Sequence, residues 1–209
     1  ENAFLKTLVP KYHGTWDHQE KTYVILDNLL YRHPNSCILD LKLGSITYAY
    51  DSSPDKIEAH KQKTAKTTSE KLGFRISGII LKDKKGKLLE QKSRKDIYYD
   101  VTCENVSEYF EKFFKACGTN DKLNIDAAEE ILRLVEGIEE FLENHTTREW
   151  RCSSLLLVAD GERKYQQAKW IDLGANKKIE EEGKKDDNCL LGVRSLKKIL
   201  SDIISKNKN

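Results

Sequence analysis

The chain has few of the features that mark secreted, zinc-binding or membrane-spanning proteins. Its five cysteines are odd in number and widely spaced, and no two of them form a Cys-x-x-Cys pair. This usage argues against a disulfide framework or a zinc site and favours a reducing compartment, so we expect a cytoplasmic or nuclear protein. No apolar run approaches the length of a membrane span, and the opening residues give no sign of a signal peptide.

The chain also has little excess charge. Its formal net charge is +2, although 33% of the 209 residues are charged and 38% are hydrophobic. This composition is typical of a globular chain with one domain, or one domain and a small lobe. Because the charges balance overall, any attraction for an anion must come from local clustering. Basic and acidic runs alternate, as in KKIEEEGKKDD, which argues against a nucleic-acid binder.

The spacing of apolar residues predicts an α+β protein whose helices are segregated from the sheet. A short helix is expected to end before Pro10, with a turn at Gly14. Strands are predicted in KTYVILDNLL, in residues 37–43, in GFRISGIIL, and in SSLLLVADG and AKWIDLG, the last two as a hairpin. Helices are predicted after Ser53 as N-cap, in ENVSEYFEKFFKACG, in IDAAEEILRLVEGIEEFLEN and in LLGVRSLKKILSDII.

The segment ILDLKLGS, residues 38–45, places two opposite charges on one side of a predicted strand. Side chains alternate along a strand, so Asp40 and Lys42 point the same way, while the leucines next to them point the other way. Charged side chains are rarely fully buried unless they are paired or serve a site. The segment therefore fits either a half-buried strand with a surface ion pair or a strand that carries reactive groups.

A predicted helix over residues 55–69 is too polar for an ordinary core helix. One of its faces carries, at helical spacing, Lys56, His60, Lys63 and Lys66 or Thr67. Both a solvated surface helix and a helix that meets a ligand with many phosphates would have this pattern. Each exposed lysine near an anionic surface contributes only about 1 kcal/mol, so only a dense anion would matter. Nucleic acid fits less well because no aromatic residues are interleaved for base stacking.

Two further segments offer groups that phosphoryl transfer requires. That reaction needs carboxylates that hold Mg²⁺, cations that neutralise the moving phosphoryl group, and a group that orients the attacking oxygen. Asp172 in WIDLG lies at a predicted strand end, as a metal-holding carboxylate must, and Ser154 before LLLVADG would add a hydroxyl ligand. An aspartate at a strand end is also common in ordinary turns, so neither residue is specific by itself.

Taken together, these segments resemble the inositol polyphosphate kinase family. The family pattern Pro-x-x-x-Asp-x-Lys-x-Gly resembles SCILDLKLG, with Asp40, Lys42 and Gly44 in place and Ser36 at the proline position. The family's Ser-Leu-Leu and Asp-Gly signature is similar to SSLLLVADG, and its Ile-Asp-Phe signature is similar to IDLG, with Leu173 replacing phenylalanine. LGFRISG, VPKYHGT and LLGVRSL also fit, so the resemblance covers nearly the whole chain in the right order.

The resemblance implies a protein-kinase-like two-lobe fold that binds ATP between its lobes, with an N-lobe that is incomplete in this chain. Residues 1–30 would be the remaining part of the N-lobe and the hinge. Residues 31–209 would be the C-lobe, with the catalytic strand, an inositol phosphate-binding helix at about 54–70 and the metal site. The family's ATP-binding strand lysine would precede ENAFLKTL. We expect a monomer without a nucleic-acid partner.

The resemblance also implies a role for individual residues. Asp40 would position or deprotonate the attacking inositol hydroxyl, and Lys42 would contact substrate phosphate and the transferred group. Asp172 would bind Mg²⁺, assisted by Ser154. The residues that contact ATP would be Asp27 at the hinge, Asp40 and Asp172. The residues that bind the inositol phosphate would be Lys42, Lys56, His60, Lys63 and Lys66. Arg75 would be either structural or directed at the phosphates.

The resemblance leaves several candidate substrates, because members of the family act on different inositol phosphates. The short substrate segment resembles hexakisphosphate kinases and multikinases more than trisphosphate 3-kinases, which carry a longer insertion. A histidine that some members carry after Ile-Asp-Phe is absent from IDLGANKK. We therefore expect an ATP- and Mg²⁺-dependent transferase that converts inositol hexakisphosphate to a diphosphoinositol phosphate. The alternatives are an inositol polyphosphate multikinase, an inositol trisphosphate kinase, or a non-catalytic module that binds inositol phosphates.

Overall fold

A five-stranded antiparallel sheet carries the rest of the architecture. The computed structural model describes residues 3–119, 122–162 and 164–208. The strands in these ranges are β1 (Tyr12–His18), β2 (Lys21–Leu26), β3 (Cys37–Leu43), β4 (Phe74–Lys82), β5 (Leu88–Ser93), β6 (Arg148–Trp150), β7 (Ser154–Asp160), β8 (Tyr165–Ile171) and β9 (Asn176–Lys178). The helices are α1 (Ala3–Leu8), α2 (Pro54–Ala65), α3 (Ser69–Leu72), α4 (Lys95–Tyr98), α5 (Val106–Ala116), α6 (Ile125–Asn144) and α7 (Asp187–Asn207).

The strands of the main sheet have the order β5-β4-β3-β7-β8, so β3 lies in the middle. β1 pairs with β2, and β6 pairs with β9, as two separate two-stranded sheets. The odd-numbered residues of β3 are fully buried, and the main core joins them to the apolar faces of α5, α6 and α7. β7 and β8 form the predicted antiparallel pair. Packing helices against a sheet in this way follows from the strand and helix periods read in the sequence.

The amphipathic pattern of α5 and α6 is confirmed by their burial. The predicted apolar residues of α5 are buried, and Phe114 is buried with them. In α6 the buried positions include Ile131, Val135, Ile138 and Leu142, whereas Leu134 is only partly buried. Residues three and four apart lie on one face of a helix, so this spacing places each helix against the sheet.

Some local expectations were wrong or incomplete. Gly14 is not a turn but lies inside β1, where its φ of 119° coincides with a shift in strand register. The chain instead turns at Gln19 and Glu20, which have positive φ angles. The edge strand β5 has a largely exposed, polar sequence and therefore no clear period-2 signal. Ser53 is the N-cap of α2 as expected, but its side chain makes no capping hydrogen bond.

Two further observations concern membrane-crossing helices and the state of the cysteines. In the described part of the chain, no helix combines the length and the apolar character that a bilayer crossing requires. All five cysteines are free thiols, and three of them are buried.

Two glycines allow α7 to approach the loop that precedes β4. Gly73 has a φ of 66°, and a Cβ atom at this position would lie 2.6 Å from the backbone nitrogen of Gly192. Conversely, a Cβ atom on Gly192 would lie 2.3 Å from the carbonyl oxygen of Gly73. The obstructing atoms are backbone atoms, which cannot rotate away. This contact fixes the distance between α7 and the end of β3.

Two alanine substitutions in helices are expected to have opposite effects. Gly192→Ala should destabilise the protein by about 1–3 kcal/mol because the added methyl group overlaps backbone. Gly137→Ala in α6 should stabilise it by roughly 0.5–1 kcal/mol, since the nearest atom to a Cβ there is 3.7 Å away. Urea unfolding curves measure both changes. Equal effects of the two substitutions would contradict the close approach at Gly192.

Candidate active site

β3 divides its side chains between the core and a polar surface. Cys37 and the leucines at alternate positions are fully buried, whereas Asp40 and Lys42 are half-buried on the other side. The two charges therefore share one face, as the sequence predicts. They are more than a surface ion pair, because each lies among groups from other strands.

Strand register brings two of the predicted site residues to Lys42. Lys42 lies opposite Ser154 on β7. Ser154 in turn lies opposite Ile171, the last residue of β8. The next residue, Asp172, therefore reaches the same end of the sheet, and it has a φ of 61°. The hairpin thus supplies one buried hydroxyl and one exposed carboxylate to the site.

The ammonium of Lys42 is the centre of this group. Its Nζ donates a hydrogen bond to the carbonyl oxygen of Cys152 and lies 3.4 Å from Oγ of Ser154. The same Nζ is 3.7 Å from Oδ2 of Asp172. The side chain of Lys42 is 19% exposed, and that of Asp172 is 61% exposed. A largely fixed cation therefore lies beside a carboxylate that remains open to solvent.

Asp40 lies in a less polar environment than its neighbours. Burial raises the pKa of Asp40, and the hydroxyl of Ser77, the positive charge of Lys42 and the hydroxyl of Ser154 offset part of this effect, while the charge of Asp172 adds to it. Oδ1 of Asp40 is buried, and among the described residues it has no hydrogen-bond partner. A carboxylate with a raised pKa and a free buried oxygen is suited to accept a proton or to orient a reacting oxygen.

Helix α2 lies beside this group although none of its residues, all of which are described, is buried. It is attached through side chains. Thr64 Oγ1 donates to the carbonyl of Ser45 at 3.0 Å, and Nδ1 of His60 lies 3.0 Å from Oγ1 of Thr47. These bonds tie the helix to the loop that follows β3. Its basic face is therefore held next to the strand that carries Lys42.

Several cations lie close enough to influence one another. Burial lowers the pKa of His60, and the charges of Lys63, Arg75, Lys56 and Lys42 lower it further. Burial also lowers the pKa of Lys63, and Arg75 contributes the next largest effect. Like charges held together raise the free energy of the protein until an anion neutralises them. The group formed by Lys42, Lys56, Lys63 and Arg75, with the imidazole of His60 beside them, is called the cation cluster.

Lys66 lies outside this cluster. α2 ends at Ala65, and Lys66 is its C-cap, so the helical spacing that predicted a shared face stops one residue earlier. Lys66 instead lines a separate cavity of about 190 Å³, together with Glu70 and Lys71. The structure therefore joins Lys56, His60 and Lys63 to the candidate site, but not Lys66.

Asp27 lies at the other end of the sheet face. Its Oδ1 is 2.5 Å from Nε2 of His13, and it lines a cavity of about 370 Å³ with Tyr165 and His33. Tyr165 is the first residue of β8, and Ile171 is the last. Six residues of strand separate these ends by about 20 Å. Asp27 is therefore not in contact with Asp40 or Lys42.

Other contacts of the site had no signal in the sequence. The acceptor that holds Lys42 is the backbone carbonyl of Cys152, a residue with a φ of 57°. The ring of Tyr98 lies beneath two cations, with Nζ of Lys63 5.6 Å and Cζ of Arg75 5.1 Å from its centroid. The resemblance of LGFRISG to the family pointed to Arg75 but left open whether it is structural or directed at the phosphates.

The match to known proteins agrees with this geometry. A family model described as inositol polyphosphate kinase matches residues 23–201. This range contains β3, α2 and the β7–β8 hairpin. The chain therefore belongs to the inositol polyphosphate kinase family, as the sequence resemblance implied.

The individual relatives include hexakisphosphate kinases and multikinases. The chain is 31% identical over 164 residues to inositol hexakisphosphate kinase 3 of Mus musculus, a match that covers 77% of this chain and 39% of that protein. It is 31% identical over 137 residues to the inositol polyphosphate multikinase of Schizosaccharomyces pombe, covering 66% of this chain and 50% of that protein. The chain thus spans two fifths to one half of the length of these relatives.

Solved structures support the same fold. The inositol phosphate multikinase Ipk2 of Saccharomyces cerevisiae, in complex with ADP and Mn²⁺, superposes with a TM-score of 0.80 at 24% identity, covering 96% of this chain and 90% of that chain. A second inositol phosphate multikinase structure gives a TM-score of 0.79 at 25% identity, covering 95% and 91% of the two chains. The predicted α+β fold of the inositol polyphosphate kinase type is confirmed.

Removing the charge of Asp40 is expected to stabilise the protein at high pH. Because its pKa is raised on folding, the stabilising contribution of the protonated carboxyl is complete below the ordinary value of about 3.9 and is lost as pH rises through the raised value. Asp40→Asn should therefore raise the Tm at pH 8, and the gain should shrink as pH approaches 4. Circular dichroism melting curves across this range measure the difference.

The exposed residue Asp202 on α7 provides the matched control. Asp202→Asn should leave the Tm nearly unchanged across the same pH series, since this residue is exposed. A gain for Asp40→Asn that did not vary with pH, or a loss at pH 8, would contradict the stated environment of Asp40.

Proposed function

We propose that this chain carries the reaction centre of an ATP-dependent inositol polyphosphate kinase. The reaction transfers the γ-phosphoryl group of ATP to a highly phosphorylated inositol, with inositol hexakisphosphate as the first candidate and a diphosphoinositol phosphate as the product. One observation carries the proposal. Asp40 and Lys42 of β3 meet Asp172, which follows β8, at one end of the sheet, beside the basic face of α2.

The nucleotide has a natural place along the sheet. The face between Asp27 and Asp172 is long enough for an extended nucleoside triphosphate. We assign the adenine to the end near Asp27 and the phosphates to the end near Lys42. The half-buried side chains of Ile38 and Leu156 lie between these ends and offer an apolar surface. In this arrangement residues 1–30 contribute the hinge, and residues 31–209 form the C-lobe, with the substrate helix at about 54–70.

The residues at the phosphate end fit a magnesium ion. Mg²⁺ in kinases takes one or two carboxylates and completes its octahedron with substrate phosphates and water. Asp172 offers an exposed carboxylate, which lies 3.7 Å from the ammonium of Lys42. Asp172, with the hydroxyl of Ser154, would hold the ion. When bound, Mg²⁺ supplies charge neutralisation for the transferring phosphates. The Mn²⁺ bound by the yeast multikinase is consistent with a divalent ion.

Asp40 has a different task for each class of acceptor. When a hydroxyl oxygen attacks, it bonds to the γ-phosphorus, the bond to the bridging oxygen breaks, ADP leaves, and Asp40 takes the hydroxyl proton. Inositol hexakisphosphate has no free hydroxyl, so a phosphate oxygen attacks and no hydroxyl proton must move. Asp40 then orients the attacking group. Lys42 contacts the transferred phosphoryl group in both cases.

The basic face of α2 attracts the phosphates of the acceptor. Lys56, Lys63 and Lys42 all lie close enough to His60 to lower its pKa, and each exposed or half-exposed lysine contributes modestly to anion binding. An acceptor with many phosphates would gain from all of them together. The non-catalytic alternative is disfavoured, because the groups that would react are present and adjacent. We also propose that the protein acts as a monomer in the cytoplasm or nucleus, in keeping with its free thiols.

A multikinase that phosphorylates hydroxyl groups is the second candidate. Two observations favour it. The relatives include multikinases at the same identity as the hexakisphosphate kinase, and both solved structures described above are multikinases. The raised pKa of Asp40 also suits proton removal from a hydroxyl. Inositol trisphosphate kinase remains a further alternative within the same family.

The proposal is tested with the full chain, ATP, Mg²⁺ and a panel of inositol phosphates. Asp40→Asn is expected to lower kcat at least about 100-fold with acceptors that carry a free hydroxyl, because the proton acceptor is lost. Asp172→Asn is expected to lower kcat at least as much with every acceptor, because a metal ligand is lost. If hexakisphosphate is the substrate, Asp40→Asn should retain more activity with it than with acceptors that carry a hydroxyl. Product formation is followed by phosphorus NMR.

Folding is checked by circular dichroism, and Asp202→Asn serves as the control with unchanged turnover. Transfer at near-normal rates by either site variant would exclude the assigned roles. Binding of inositol phosphates without any transfer by the parent protein would instead support the non-catalytic module.

The lysine face of α2 gives a separate prediction. Lys63→Gln should raise the KM for inositol hexakisphosphate several-fold and leave the KM for ATP unchanged, because a cation that faces the acceptor is lost. Lys61→Gln, on an exposed position of the same helix, should change neither value. Steady-state kinetics at fixed ionic strength measure both. Equal effects of the two substitutions would indicate a diffuse charge effect instead of a defined binding face.

A further inference from the structure

Arg75 is a charged side chain on the floor of the candidate site. It lies on β4 directly opposite Lys42 of β3, and it is only 3% exposed. Burying a guanidinium is costly unless it is paired and hydrogen-bonded. A central strand of the sheet thus carries a buried cation next to another cation, and this arrangement requires a physical reason.

The immediate contacts of Arg75 fix its position without satisfying it. Nη1 donates a hydrogen bond to Oγ of Ser69 at 3.0 Å. The guanidinium lies over the ring of Tyr98, with Cζ 5.1 Å from the ring centroid. Nε is buried, and within the described residues it has no hydrogen-bond partner. The side chain is therefore held in one orientation, and its Nε–H donor is not used by any described residue.

The charges around Arg75 are mostly of the same sign. Arg75 contributes to the lowered pKa of both His60 and Lys63, in each case after burial. Lys63 also shares the ring of Tyr98, with Nζ 5.6 Å from its centroid. Burial lowers the pKa of Arg75, and the main effect that opposes this shift comes from the hydroxyl of Tyr98, followed by smaller effects of Tyr99 and Asp40. Arg75 thus lies between the cations of α2 and the reacting groups of β3.

We propose that Arg75 is a specificity-determining residue that binds one phosphate of the inositol polyphosphate, between Lys42 and Lys63, with Tyr98 as its positioning residue. The inference rests on the proposed function and adds a residue to it. The planar guanidinium presents its donors in a fork that matches two phosphate oxygens, which an ammonium cannot do. A phosphate there would use the free donor and neutralise the buried charge.

Tyr98 has a defined part in this arrangement. Its ring contacts both Lys63 of the helix and Arg75 of the sheet, so it links α2 to the floor of the site. Such a platform lowers the ordering cost of binding, since the guanidinium does not have to find its orientation when the phosphate arrives.

The test compares Arg75→Lys with the parent protein by calorimetric titration of inositol hexakisphosphate into the full chain. Arg75→Lys keeps the charge and loses the fork, and affinity should fall at least about tenfold while the KM for ATP stays within twofold. Tyr98→Leu should weaken binding in the same direction, and Tyr98→Phe should weaken it less, because the ring is retained and only the hydroxyl that also contacts Arg75 is lost. Lys61→Gln is the matched control with unchanged affinity.

Each outcome of this test supports or overturns the proposed role of Arg75. A folded Arg75→Lys variant with parental affinity overturns the proposal and leaves Arg75 a structural residue. If Arg75→Lys does not fold, the Tyr98→Leu and Tyr98→Phe pair decides: equal affinities of the two variants overturn the proposal, and a greater loss with leucine supports it. If the parent protein transfers phosphate to lower inositol phosphates yet Arg75→Lys is unaffected with all of them, this inference fails while the proposed kinase stands. If the parent binds no inositol phosphate, both fail.

Discussion

Lys42 forms an ion pair with Asp172 while its ammonium also binds the carbonyl of Cys152, a residue more than one hundred positions away in the chain. These contacts exist because β3, β7 and β8 pair in one register. A shift of one residue would turn Lys42 towards the core and a leucine towards the site. The buried leucines of β3 therefore specify, through the sheet, where the charged groups meet.

Taken by themselves, the charged side chains on the polar face of the sheet destabilise the folded protein. Burial opposes the ionised form of Asp40 and the charged forms of Lys63 and Arg75. Natural proteins retain such groups mainly where a ligand or a reaction uses them. The large apolar core, which runs from β3 to α5, α6 and α7, offsets the cost. One face of the sheet thus provides stability, and the opposite face carries the groups of the proposed reaction.

Local patterns in the sequence predicted much of this arrangement. The alternation around Asp40 and Lys42 revealed their shared face, because a strand has a period of two residues. Other parts depend on distant pairing or on backbone atoms, which no local pattern encodes. The carbonyl of Cys152 and the position of Tyr98 beneath Arg75 are of this kind. Lys66 shows a third limit: periodicity indicates a face but not the residue at which a helix ends.

Helix α2 contributes no buried side chain to the core, and it is attached by a few polar contacts. Its opening free energy is consequently set by those contacts and not by the cooperative unit that holds the main sheet. Such a segment can unfold and re-form while the remainder of the molecule stays native. A polyanion that contacts both α2 and β3 would then cross-link these two elements. The fraction of molecules in which α2 is folded would therefore rise with the concentration of that ligand.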